Sequence, residues 1–282
     1  MSEGVLTLSE ASWGQIRQIV HDEALRARVA ASFLPLFGPL PTDTQTVPKN
    51  TLDYVSLGAP VPGGATERMG VVDYETMRLA TLSINVYVKN AQLADPELTS
   101  ATIMFRRAAD IMARVEDAIV VNGQEDVGKG PNNPAQSLAG VQPVFSVSGG
   151  GKYDGLIECG QSNLVKITGA VDGAKVFSAV VDAIQKLEGA GHVGPFACIM
   201  DDAFFSAVTK PIPNSMVLPR DSILPFLDGP LLRSSTMPKK SAVIVSLQGA
   251  PVELVVPSDI SVKYLQTTMD SEHIFRVQQK FV

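Results

Sequence analysis

"GHVGPFACIMDDAFFSAV", residues 191–208, sets glycines around a histidine, then an apolar run with a cysteine, then two adjacent aspartates. Two readings compete. As a chemical site, His192, Asp201 and Asp202 would be the acid–base set of a soluble enzyme. As architecture, Gly189, Gly191 and Gly194 end a helix and redirect the chain. "PFACIM" then has strand length, and Asp201 or Asp202 caps the helix "AFFSAV". The architectural reading accounts for every conspicuous residue, and no partner for His192 stands in the stretch. It predicts a helix–turn–strand–helix unit with a buried, inert Cys198 in its strand.

The flanks extend this unit. Upstream, Val176, Phe177, Val180, Val181, Ile184 and Leu187 mark the inward face of a helix from Ala174 to Glu188. Downstream, "KPIPNSMVLP" precedes a short helix near Ser222 to Leu227. Strands follow around 231–236, 241–248, 252–265 and 273–282. Toward the N-terminus, Thr7 and Glu10 have capping-box spacing ahead of Trp13, Ile16, Val20, Ala24 and Ala27 at helical steps. "SFLPLFGPLP", residues 32–41, sets large apolar side chains among prolines and needs a cover. Residues 51–78, rich in Gly and Pro, read as a long extended loop or hairpin. "RLATLSINVYVKN", residues 78–90, alternates as a strand.

The most regular pattern comes next. Asp95 caps and Pro96 opens a helix carrying Leu98, Ala101, Phe105, Ala108, Met112, Val115 and Ile119 as one apolar stripe, with a mostly polar far face. It ends near Asn122-Gly123. Residues 124–152 hold many helix and strand breakers and read as loop. Helix, long loop, strand, long helix and then mixed elements make an α+β order, not a doubly wound one.

Composition narrows the function. The chain has 282 residues, 45% hydrophobic and 18% charged, with a net charge of −6. Low charge suits a large core or extensive subunit contacts. The acidic balance, with Lys239-Lys240 as the nearest thing to a basic run, argues against nucleic-acid binding. Cys159 and Cys198 form no disulfide framework, which fits a reducing compartment. The N-terminus has no signal-peptide pattern, and no apolar run reaches the ~18 residues of a membrane span. These features predict a soluble, cytoplasmic protein.

Chemical motifs are weak. "GQEDVGKG", residues 123–130, matches a phosphate-binding loop, but Gly130 stands where Ser or Thr should hold magnesium, and a helix precedes it. His21, His192 and His273 have no second ligand at metal spacing, so no metal site is expected. No G-x-S-x-G is present.

A family resemblance joins these pieces. "IQKLEGAGHVGPFACIMDDAFFSAV" resembles the helix–turn–strand–helix of encapsulin shell proteins. "LSEASWGQI", "GPL" at 38–40, "RVEDAIVVNG" at 114–123, "YDGL" at 153–156 and "YLQTTMDSEHIFRV" at 264–277 resemble the family's other landmarks, in the same order. The resemblance implies an HK97 phage-capsid-like fold. Its peripheral domain would take residues 1–50, 79–155 and 259–282, its extended loop 51–78, and its axial domain 156–258. It implies a self-assembling icosahedral shell that encloses a cargo enzyme and has no active site of its own. The cargo's terminal peptide would dock on Phe33, Leu34, Leu36 and Phe37, and Lys210, Pro211, Pro213 and Asn214 would line a five-fold pore loop. Some members stack a flavin on an aromatic residue near Tyr87, where the pattern has Trp; no cofactor is expected here. Residues 124–152 exceed the family's connection, and the chain ends at Val282 where the family's pattern has another short strand. Two other readings stay open, a phage major capsid protein of the same fold and the soluble enzyme above.

Overall fold

A computed structural model of the chain describes residues 8–38, 40–56, 67–124, 144–211, 217–249 and 252–282. The first helix, α1 (Glu10–Ala27), is capped by Ser9, whose hydroxyl accepts the Ser12 amide at 3.1 Å. The cap therefore falls at Ser9, which sits next to the first helical residue; Thr7 lies outside the described residues. Ile16, Val20 and Ala24 bury the expected face.

After β1 (Leu36–Phe37), the chain runs out and back in one antiparallel ribbon, β2 (Thr46–Ser56) and β3 (Glu67–Arg78). At its root, Val47 and Leu79 pack with Leu40, Met77, Val255 and Val282. Farther out, Val71 and Tyr74 are 61% and 81% exposed.

β4 (Ala80–Lys89) follows and alternates as its sequence predicts: Leu82, Ile84, Val86 and Val88 point to the core. The spine helix α2 spans Thr99–Asn122. It starts later than Pro96, because residues 95–98 close a separate turn and Leu98, at φ 51°, drops into the core. Asp95 still caps. Its carboxylate accepts the amides of Thr99 at 3.0 Å and Glu97 at 3.1 Å, which hold its pKa below the ordinary value. Every residue of the expected stripe is buried. The far face is not polar throughout: Ala109, Ile111, Ala113, Glu116, Asp117 and Val121 are also buried, because α1 and the segment after it cover it.

β5 (Phe145–Gly149) pairs with β4, so part of the segment expected as loop is a strand. With β10 (Ser258–Thr267) and β11 (Glu272–Phe281) the sheet order is β10-β11-β4-β5. α1 and α2 lie on its apolar face. Phe275 ties both helices to the sheet, edge-on to Trp13, Phe105 and Tyr264 at 5.7, 5.4 and 5.7 Å.

The second half builds a smaller sheet, β7-β6-β8, from β6 (Phe196–Met200), β7 (Leu231–Arg233) and β8 (Ala242–Ser246). Helices α3 (Gly173–Gly189), α4 (Asp202–Val208) and α5 (Pro219–Leu227) cover one face. β6 has no polar side because both its faces are buried. Phe196, Cys198 and Met200 meet these helices, whereas Ala197 and Ile199 belong to the core around α2. The two cores thus meet on one strand. Asn122 adds a second tie, donating to the Thr236 carbonyl at 3.2 Å. The close of α2 explains another pair of landmarks. A Cβ on Gly123, at φ +88°, would sit 2.8 Å from the Tyr153 carbonyl oxygen, so "NG" and "YDG" meet backbone to backbone.

Candidate functional site

The stretch at 191–208 is scaffold. Gly191, at φ +90°, turns the chain after α3, one residue beyond the C-cap Ala190, and the His192 amide donates to the Leu187 carbonyl at 2.9 Å. His192 is exposed. Asp201 is the cap: it accepts the Phe204 amide at 3.0 Å and the Lys240 amide at 2.7 Å. Asp202 is exposed and lies 3.4 Å from Arg233. These three side chains do not form one acid–base set, since both Asp201 oxygens serve backbone amides and Asp202 points to Arg233. Burial pushes the Cys198 thiol up to about 12, so it carries no thiolate near neutral pH.

The other candidates are dispersed. Gly123 and Gln124 end α2; Gln124 donates to the Gly149 carbonyl, and residues 125–130 of the phosphate-loop match lie outside the described residues. Lys210 and Pro211 are exposed just after α4, while Pro213 and Asn214 lie outside the described residues. Tyr87 is half exposed on the outer face of the large sheet, opposite Ile274. No cluster of three metal-ligating side chains occurs among the described residues. Nor is any described helix long and apolar enough to cross a membrane. A cleft of about 650 Å³ opens between residues 156–171, α3 and β8, walled by Leu164, Ile167, Val180 and Ile244. Its walls are mostly apolar, with Lys166, Lys240, Gln161 and Asn163 among the polar lining, and carry no carboxylate to pair with a base.

The segment after α1 is different, because its backbone is held tightly while two large apolar side chains face outward. Arg28 leaves the helix in extended conformation. The Asp117 carboxylate of α2 then accepts the Val29 amide at 3.0 Å and the Ala30 amide at 2.7 Å. A single 3-10 turn, Ala30–Ser32, follows. Phe33 and Leu34 drop into the core at 9% and 5% exposure. Pro35 stops the turn, and its carbonyl accepts the Leu254 amide at 2.9 Å. Leu36 and Phe37 pair in parallel with Leu254 and Val255 of the short strand β9. They are 63% and 39% exposed, so the four residues grouped by the sequence divide into an anchored pair and an outward pair.

Beneath this segment lies a buried ionic cluster. Arg28 bridges Glu116 and Asp259, each at 2.8 Å. Burial raises the Glu116 pKa against the opposing pull of Arg28. Burial also pushes Asp117 up to about 7, opposed by the Ala30 amide and reinforced by Glu116. The sequence carried a signal for this cluster that periodicity alone passes over. Adjacent acids stand within an apolar run of a helix, where burial disfavours their charge, and a buried partner must hold them there.

The chain as a whole resembles known proteins. Residues 142–282 match a family model described as "Encapsulating protein for peroxidase". The chain is 23% identical over 275 residues to the type 1 encapsulin shell protein EncA of Myxococcus xanthus, covering 96% of this chain and 87% of that one. It is 21% identical over 276 residues to a diheme-cytochrome-encapsulin shell fusion protein of Kuenenia stuttgartiensis, covering 96% of this chain and 69% of the fusion. The virus-like particle of Pyrococcus furiosus superposes with a TM-score of 0.63 at 13% identity, covering 97% of this chain and 94% of its own. A structure of Mycobacterium phage Adephagia gives 0.57 at 17% identity, covering 92% and 82%.

Proposed function

The chain belongs to the family of encapsulating shell proteins, and from that premise we propose that its copies close into an icosahedral shell that retains an enzyme in the cytoplasm. The protein itself performs no chemistry in this reading; its contribution is geometric. Residues 1–50, 79–155 and 259–282 serve as the peripheral domain, residues 156–258 as the axial domain and 51–78 as the arm. The observation that carries the proposal is the β2–β3 ribbon. A two-stranded ribbon is marginal alone, and beyond its root at Val47 and Leu79 this one exposes Val71 and Tyr74. A neighbouring copy supplies the missing surface, and a closed shell repeats that contact at every subunit.

The cargo's terminal peptide docks against Leu36 and Phe37, with Phe33 and Leu34 as the anchor that fixes their direction. Lys210, Pro211, Pro213 and Asn214 border the opening at the five-fold axis. Electron microscopy of the purified protein is expected to show closed shells of uniform size; a small soluble oligomer as the sole species overturns the proposal. Shells filled with DNA rather than with an enzyme would favour the phage-capsid reading.

Docking has its own test. The double substitution Leu36→Asp with Phe37→Asp should leave shells intact and lower bound cargo at least tenfold, read by mass spectrometry of purified shells. The scale follows from about 1.5–3 kcal/mol for each apolar side chain buried on docking. Unchanged loading in intact shells removes these residues from the docking surface.

A further inference from the structure

The cleft beside β8 has the shape of a missing strand. Among the described residues β8 pairs with β6 and with no other strand, so one of its edges is free. The Asp201 amide donates to the Ser241 carbonyl at 3.1 Å and the Leu247 amide to the Pro195 carbonyl at 2.9 Å. In an antiparallel pair of this register, the odd residues of β8 therefore bond to β6. On β6 the parity matches. The Cys198 amide donates to the Pro230 carbonyl and the Met200 carbonyl accepts the Ser234 amide, both on the β7 side. Ala242 and Ile244, which stand opposite Met200 and Cys198, thus turn their N–H and C=O groups to the free edge.

That edge lines the cleft. Residues 163–169 form a second wall, and no ladder pair joins them to β8. α3 pins this wall: Lys186 Nζ donates to the Leu164 carbonyl at 2.9 Å, and Lys175 Nζ to the Ala170 carbonyl at 2.9 Å. α3 also presents Ala179, Val180 and Ala183 to the cleft. Two alanines one turn apart leave room for larger side chains there. The charge is one-sided. Lys166 and Lys240 line the cleft and no carboxylate does, and neither ammonium has a partner among the described residues.

We propose that the cleft takes one extended peptide strand of a partner protein, apolar at alternate positions and carrying carboxylates, which pairs with β8 through Ala242 and Ile244. The free edge supplies main-chain hydrogen bonds, α3 meets the apolar side chains, and the two lysines select acidic peptides over basic ones. A plain hydrocarbon does not suit the cleft, because it leaves the edge amides and carbonyls without partners. This surface is separate from the docking segment, none of whose residues line the cleft.

Hydrogen exchange of the purified chain, in the assembly it forms, tests the pairing residue by residue. The probe is the acetylated, amidated peptide Glu-Val-Thr-Val-Thr-Val-Glu. At saturation the Ala242 and Ile244 amides should gain about tenfold protection, while those of Val243 and Val245, already directed to β6, change little. Lys166→Glu with Lys240→Glu, both on the surface, should weaken this probe about tenfold at low salt. A second probe with lysine in place of both glutamates should show the opposite preference between the two proteins. Four results each overturn the proposal: no saturable binding up to about 1 mM peptide, binding that leaves Ala242 and Ile244 unprotected, equal affinity for both probes, or full protection of these two amides before any peptide is added. The last would mean that a neighbouring copy already fills the cleft.

Discussion

Phe275→Ala is expected to destabilise the chain by about 3–5 kcal/mol, the range for removing a fully buried phenylalanine. Phe275 is 0% exposed and stands on β11, paired on one side with Tyr264 of β10 and on the other with Val86 of β4. Its ring meets Trp13 of α1 and Phe105 of α2 edge-on. Truncation opens a cavity where both helices and three strands meet. A loss of this size is a large share of the about 5–15 kcal/mol that holds an ordinary domain. Chemical denaturation should show the midpoint falling sharply, with Phe275→Leu recovering part of the loss. A shift worth less than 1 kcal/mol would mean that the layers are held elsewhere.

The second large effect falls on assembly and not on folding. Val71→Asp with Tyr74→Asp should abolish shells while leaving the subunit's circular dichroism unchanged. Both side chains are exposed on the ribbon, beyond the apolar root at Val47 and Leu79. If a neighbouring copy covers them, each contributes about 1.5–3 kcal/mol to the contact. Losing both weakens every such contact about a hundredfold or more, and closure multiplies the loss over all subunits. Size-exclusion chromatography with light scattering reads the result directly. Normal shells from this variant would show that the arm's exposed residues face solvent in the assembly.

The outward pair at Leu36 and Phe37 illustrates how far a local pattern reaches. "SFLPLFGPLP" announces an apolar segment that wants a cover, but not which of its residues the chain covers itself. Phe33 and Leu34 enter the core around α2 because Asp117 fixes the turn before them. Leu36 and Phe37 stay outside because Pro35 and the pairing with Leu254 and Val255 set the backbone in an edge strand. The segment from 144 onward makes the same point. Phe145–Gly149 looks like loop among its glycines, and becomes a strand because β4 offers it a free edge.

Elements governed by near neighbours were legible in the chain alone. The stripe from Leu98 to Ile119, the alternation of β4, the aspartate cap at 201 and the helix–turn–strand–helix around His192 all rest on interactions a few residues apart. Burial rests on partners brought together by folding. "FACIM" is apolar on both sides because it lies between two cores, and a strand's own sequence names neither. The acids of "VEDA" are buried because Arg28 and the amides of Val29 and Ala30, 88 and 87 residues distant in the Asp117 contacts, close over them. Such contacts depend on where distant segments come to rest, and that placement gives Asp117 its backbone-holding role and Leu36 and Phe37 their outward direction.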